Sequence, residues 1–137
     1  MIDLVAITDG LAAALVPSEL TIYPRPPGDW VKDCIIVAPA SPLIEYDRTF
    51  GAKGIAAINL ELSVRLSLSA GVDNAYERMY RLIGCSNDGT SIFDLLRDDP
   101  TLAGAVSDAY AGQVSAPVFD GEELVATFGV TVHERKG

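Results

Sequence analysis

Between residues 56 and 68 the chain alternates. Ala56, Ile58, Leu60, Leu62, Val64, Leu66 and Leu68 are apolar, and Asn59, Glu61, Ser63, Arg65 and Ser67 stand between them. Side chains of a strand point to opposite faces in turn, so this pattern predicts one strand with a buried face and a wet face. At about 3.3 Å per residue the segment spans roughly 43 Å. A usual strand has about five or six residues. The length predicts that part of the strand projects beyond its own domain; the alternative is a bulge that bends it. Either way the chain must build a sheet around this segment, with something apolar laid on one side.

The other elements follow from spacing and breakers. Asp3 can cap a first helix whose apolar stripe is Leu4, Ile7, Leu11 and Leu15, and Pro17 closes it. Gly10 weakens that helix by about 1 kcal/mol relative to alanine. Residues 20–23 read as a short strand, and Pro24, Pro26, Pro27 and Gly28 then form an extended connector. The unbroken apolar run Cys34, Ile35, Ile36, Val37 and Ala38 predicts a strand buried on both faces. Pro39 and Pro42 interrupt it before it resumes over residues 43–46. Residues 47–54 read as a polar, glycine-bearing loop carrying Arg48, Phe50 and Lys53. A second helix is expected over residues 73–83, with Asp73 as cap and Gly84 as stop. Its apolar face is Val72, Ala75, Tyr76, Met79, Leu82 and Ile83. Residues 85–90 are turn-rich. Ser91, with Asp94 three positions on, caps a short third helix that Pro100 ends.

The last third reads as a hairpin. Tyr110, Gly112, Val114, Ala116 and Val118 are expected on one face of its first strand, and Leu124, Ala126, Phe128, Val130 and Val132 on one face of its second. Matching the two faces requires a three-residue loop, 119–121, with Gly121 left-handed. That register pairs Val118 with Glu122, Ala116 with Leu124, Gly112 with Phe128 and Tyr110 with Val130. The sum of these elements is a single α+β domain over residues 1–137. It has a mixed, mostly antiparallel sheet, an N-terminal helix, a central helix pair and a C-terminal β-hairpin.

Composition narrows the function classes. Ten Lys and Arg against 19 Asp and Glu give a net charge of −9. A nucleic-acid reader carries a basic footprint, and the densest basic pair here is Arg135–Lys136. The same imbalance disfavours an anionic membrane surface. The first sixteen residues contain Asp3 and Asp9 and lack the positive start of a secretory signal. No apolar run approaches the roughly 18 residues of a membrane span. Cys34 and Cys85 lack the paired spacing of a zinc site and read as small buried apolar residues.

The catalytic inventory is thin. His133 is the one histidine, and no G-x-S-x-G elbow presents a serine to it. Glu122 and Glu123, adjacent in a strand, would point to opposite faces. Asp98 and Asp99 sit at a helix end. The Asn87-Asp88-Gly89 turn lacks the ligand spacing of a calcium loop, and no glycine-rich phosphate motif occurs. These readings predict a protein that is not an enzyme and holds no cofactor or metal. Weight shifts to surfaces: an overlong strand, an aromatic-bearing loop, and strand edges able to pair with neighbours.

The run from Ser91 to Asp108, SIFDLLRDDPTLAGAVSD, resembles the helix followed by D-P-T-L-x-G-x-V found in tail terminator proteins of long-tailed, siphovirus-type bacteriophages. The N-terminal helix followed by Ile22-Tyr23-Pro24 resembles how those chains begin. So do Ile35-Ile36-Val37-Ala38-Pro39, Tyr46 with the long alternating strand, and the closing segment 125–132. The resemblance covers nearly the whole chain. It implies a structural virion protein that forms a ring, usually of six copies, at the head-proximal end of the tail. The ring caps the tail-tube protein, ends tube polymerisation and offers its other face to the head-completion (stopper) protein. DNA would pass through the bore without specific binding, no membrane would be involved, and assembly would occur in the host cytoplasm. Six copies at −9 apiece carry −54, which would keep DNA sliding. The family has no catalytic signature to transfer. Exposure logic alone nominates Tyr46, Arg48, Phe50 and Lys53 as inter-subunit or tube contacts. Two alternatives are another neck protein, either head-completion or adaptor, and a cellular ferredoxin-like ligand-binding domain.

Overall fold

The computed structural model describes residues 3–46, 55–84, 91–102, 104, 106 and 108–135. In chain order the elements are α1 (Leu4–Ala14), a 3₁₀ turn (Val16–Ser18), β1 (Thr21–Tyr23), β2 (Cys34–Tyr46), β3 (Ile55–Ser67), α2 (Val72–Ile83), α3 (Ile92–Asp98), β4 (Asp108–Val114), β5 (Val118–Asp120) and β6 (Glu123–Arg135). The sheet runs β1-β2-β3-β6-β4, with β5 lying beside β6 on the same side as β4. β1 is parallel to β2, and every other pairing is antiparallel. The fold is therefore the mixed, mostly antiparallel α+β arrangement that the order of elements predicts.

The alternating segment is the spine of the sheet. β3 pairs with β6 without interruption from Ile55–Arg135 to Ser67–Glu123. Ile58, Leu60, Leu62, Val64 and Leu66 are buried, as are Leu124, Ala126, Phe128, Val130 and Val132 beside them. Ile35 and Val37 continue this face onto β2. All three helices lie on it: Ile7, Leu11 and Leu15 from α1, Ala75 and Met79 from α2, and Ile92, Leu95 and Leu96 from α3. Each of the leucine, isoleucine and methionine side chains contributes about 1.5–3 kcal/mol by leaving water. The bulge is in the neighbouring strand: β2 shifts register against β3 between Pro39 and Ile44, where its two prolines stand. A proline has no N–H for the ladder, so the irregularity falls where two donors are missing.

The caps follow local chemistry. Asp3 accepts the Ala6 amide at 3.1 Å. Ser91 Oγ accepts the Asp94 amide at 3.2 Å and donates to Asp94 Oδ2 at 2.8 Å, closing α3 at its start as the Ser–Asp spacing predicts. For α2 the expectation needs correction. The helix starts at Val72, Gly71 is the cap, and Asp73 sits in the first turn. Gly71 has φ 104°, a conformation open to glycine and costly for other residues, and the chain needs it to turn from β3 into the helix. Gly84 ends α2 as predicted.

The hairpin register also differs from the expectation. Asp120 pairs with Glu123, so the loop is the two residues Gly121 and Glu122, and Gly121 takes φ 62°. Glycine at the first loop position is the demand of a II′-type hairpin. Glu122 is thus in the turn and not on a strand face. Val118 then lies opposite Val125, and Phe119 opposite Leu124. The ladder breaks at Ser115–Pro117, where Pro117 has no donor, and Ser115 re-anchors the chain to Thr127 through an N–H···O bond of 2.8 Å and an N–H···Oγ bond of 3.0 Å. Beyond the break Val114 pairs with Phe128, Ala111 with Val130 and Ala109 with Val132, with a second shift at Gly112. Tyr110 pairs with Thr131 and faces away from the helices, while Ala109 is buried under them. The reason is steric: α3 packs on β4, and two alanines allow that approach where tyrosine would not. Phe128 packs on Phe93 of α3, ring centroids 5.7 Å apart, and does not cover Gly112.

Candidate assembly surfaces

Of the four nominated contact residues, the structure places one. Tyr46 ends β2 and pairs with Ala56 of β3. Arg48, Phe50 and Lys53, with the rest of 47–54, lie outside the described residues, as do Cys85 and the Asn87-Asp88-Gly89 turn. The strand ends next to that segment form one row, Glu45–Ala57–His133–Asp108, across four strands. Asn59 fastens the row's near side, donating to the Pro42 carbonyl at 2.9 Å and to Glu45 Oε1 at 2.7 Å. His133 Nδ1 stands 3.9 Å from Asp108 Oδ2, and its ring is 5.6 Å from that of Tyr110. A histidine so placed braces the end of β6 against the start of β4.

Among the described residues the buried polar side chains Thr8, Ser67, Ser91 and Asp94 have structural partners. Asp94 is fully buried, takes the Ser91 hydroxyl and pairs with Arg97. Among the described residues no cluster of three or more His, Cys, Asp or Glu side chains is placed to hold a metal ion. Cys34 is buried, and its thiol is pushed up to about 11, first by burial and then by the carboxylate of Glu123. Such a thiol stays protonated and inert at neutral pH.

The helix-free face of the sheet carries a feature that pattern reading missed. Trp30, the one tryptophan, comes from the proline-rich connector and lies over the Arg65 guanidinium at 4.6 Å. Its indole N–H donates to Glu123 Oε1 at 3.2 Å. Arg65 in turn pairs with Asp120 at 3.0 Å and with Glu123 at 3.2 Å. The Tyr23 hydroxyl accepts the Val31 amide at 3.1 Å, holding the same connector. The segment is thus a strap latched across β2, β3 and β6. A lone tryptophan within a connector was the one available signal, and nothing in the spacing pointed it at Arg65.

Two surfaces suit contact with other protein. Tyr76 bridges Tyr80 and Phe119, with ring centroids 5.8 and 5.9 Å apart, at the outer edge of β5. Tyr80 and Phe119 are 59% and 56% exposed, and Val118 beside them is 58% exposed. Exposed aromatics of this kind are enriched at the centres of interfaces. The second is an open apolar cleft of about 210 Å³ between α1, the residues 24–26 and β2, walled by Leu4, Val5, Pro24 and Leu43. It is smaller than the roughly 300 Å³ at which small-molecule pockets begin. The class that the fold defines is an α+β domain with a mixed, mostly antiparallel sheet. No protein-family model matches the chain, and no curated protein matches it.

Proposed function

We propose that this chain is a structural virion protein of the tail-terminator type. Copies of it form a ring on the head-proximal end of a long tail tube, end tube growth and give the head-completion protein its docking face. The observation that carries the reading is the Tyr76–Tyr80–Phe119 group, exposed at Tyr80 and Phe119, beside an outer strand edge that bears no charge between Asp108 and Asp120. A chain of net charge −9 can bring copies of itself together only where like charges do not meet. This edge satisfies that condition and adds aromatic area. The resemblance of residues 91–108 supplies the kind of assembly.

Termination on this reading is geometric. The ring binds the last tube layer with one face, and its other face lacks the surface on which a further tube layer would grow. No bond is made or broken, so the chain needs rigidity where it meets the tube, and the uninterrupted β3–β6 ladder provides it. Removing the chain from an assembling virion tests the proposal by tail length. Overlong tubes are expected. Tubes of normal length with heads that leak DNA would transfer the chain to the head-completion class.

A further inference from the structure

Among the described residues both edges of the sheet are unpaired, and they differ. One is β1, a three-residue strand with Pro24 following it. The other is the line of β4 and β5, which among the described residues pair with no strand but β6. Natural edges are commonly blunted by charged side chains, above all lysine. The β4–β5 line has none between its terminal aspartates. Its defects are the shift at Gly112 and the break at Pro117, and β5 lies beyond both.

Strand polarity decides which partner this edge can take. β1 is parallel to β2; β3 opposes β2, β6 opposes β3 and β5 opposes β6. β1 and β5 therefore run in opposite directions. A rotation about an axis along the strands sets β1 of one copy antiparallel to β5 of the next, the more stable pairing. The two edges meet at one row, and a two-residue stagger sets all three residues of β1 against all three of β5. Thr21 pairs with Cys34, Cys34 with Arg65, Arg65 with Val125 and Val125 with Val118, so Thr21 and Val118 end one continuous row. A two-fold pairing of the β4–β5 edge with itself over its full length would instead set Asp108 against Asp120, like charges face to face, which destabilises a strand pair.

From this we propose that the copies join edge to edge, β5 of one against β1 of the next, into a closed sheet that runs around the ring. The inference rests on the ring reading above and names the surface the ring uses. Three-residue edges make few hydrogen bonds, and the apolar contact comes from the helix side. Phe119, with Tyr76 and Tyr80, meets the 3₁₀ turn that feeds β1 of the next copy, where Val16 is 62% exposed. Such a contact is heterologous, the kind that closes into rings.

Cysteine pairing tests it in the full chain. Thr21→Cys and Val118→Cys are introduced together and singly, with Cys85→Ser as background. Tyr23→Cys with Val118→Cys reads a two-residue stagger. Purified protein is imaged and oxidised. The expected result is a ladder of covalent multimers, up to the ring's full number, from a double variant and none from the single ones. Rings by electron microscopy with no ladder from either double variant overturn this inference and leave the ring reading standing. Dimers from Val118→Cys alone overturn it in favour of a two-fold pairing centred on β5. Soluble folded protein with neither rings nor ladders, alone or with tube protein, overturns both.

Discussion

Arg65 is the most heavily engaged side chain on the helix-free face. It takes two carboxylates and a tryptophan ring, and its Nε is buried with no hydrogen-bond partner. Arg65 lies directly opposite Cys34 in the ladder, so the strap that Trp30 pins also sits over the thiol's neighbourhood. Trp30→Ala is expected to unlatch the strap and raise the rate of Cys34 modification by a thiol reagent at least tenfold; an unchanged rate would mean that strap opening does not limit access to the thiol. The thiol also gives a pH dependence with a definite sign. Burial raises its folded value from 9.0 to about 11, so the unfolded chain loses this proton first. Stability from this group is full below pH 9 and falls as pH rises toward 11, by up to about 1.4 kcal/mol per pH unit. Denaturant midpoints of the protein and of Cys34→Ala, compared across that range, should diverge at low pH and converge at high pH. Parallel curves would contradict the assignment.

At the scale of elements, legibility tracked redundancy. β3 was readable because each of its alternate positions repeats the same message, and its neighbour on either side confirms the buried face. α3 was readable from its cap. Ser91→Ala removes both the cap to the Asp94 amide and the hydroxyl that Asp94 accepts, and should cost about 1–2 kcal/mol in thermal or denaturant unfolding. A loss below a few tenths would mean that the cap is dispensable. β4 was misread because apolar residues occupy both of its faces: Ala109, Ala111 and Val114 on one, Tyr110 on the other. Size decided between them, through the closeness of α3, and a one-dimensional pattern carries no packing distance. The Gly71 cap was hidden for a related reason, since its backbone angle is set by the turn out of β3 and a nearby Asp73 offered a conventional cap. The strap leaves no local signature, because the Trp30–Glu123 bond joins residues far apart in the chain.

At the scale of the molecule, one face of the sheet is sealed by three helices, and the other is partly crossed by the strap. Among the described residues, that leaves the two sheet edges and the strand ends at Tyr46, Ile55 and Arg135 as places where the fold can be extended. The class of fold was legible in the order of elements. The candidate surfaces were legible only in part, since Tyr76, Tyr80 and Phe119 become one group when the hairpin folds against α2. The central claim is that copies of this chain close into a ring that seats on a tube end. Electron microscopy of the purified protein, with and without its tail-tube protein, tests it most directly. The account predicts rings of one diameter, or a single distinct layer at one end of each tube. Particles that stay separate and never touch the tube would contradict it.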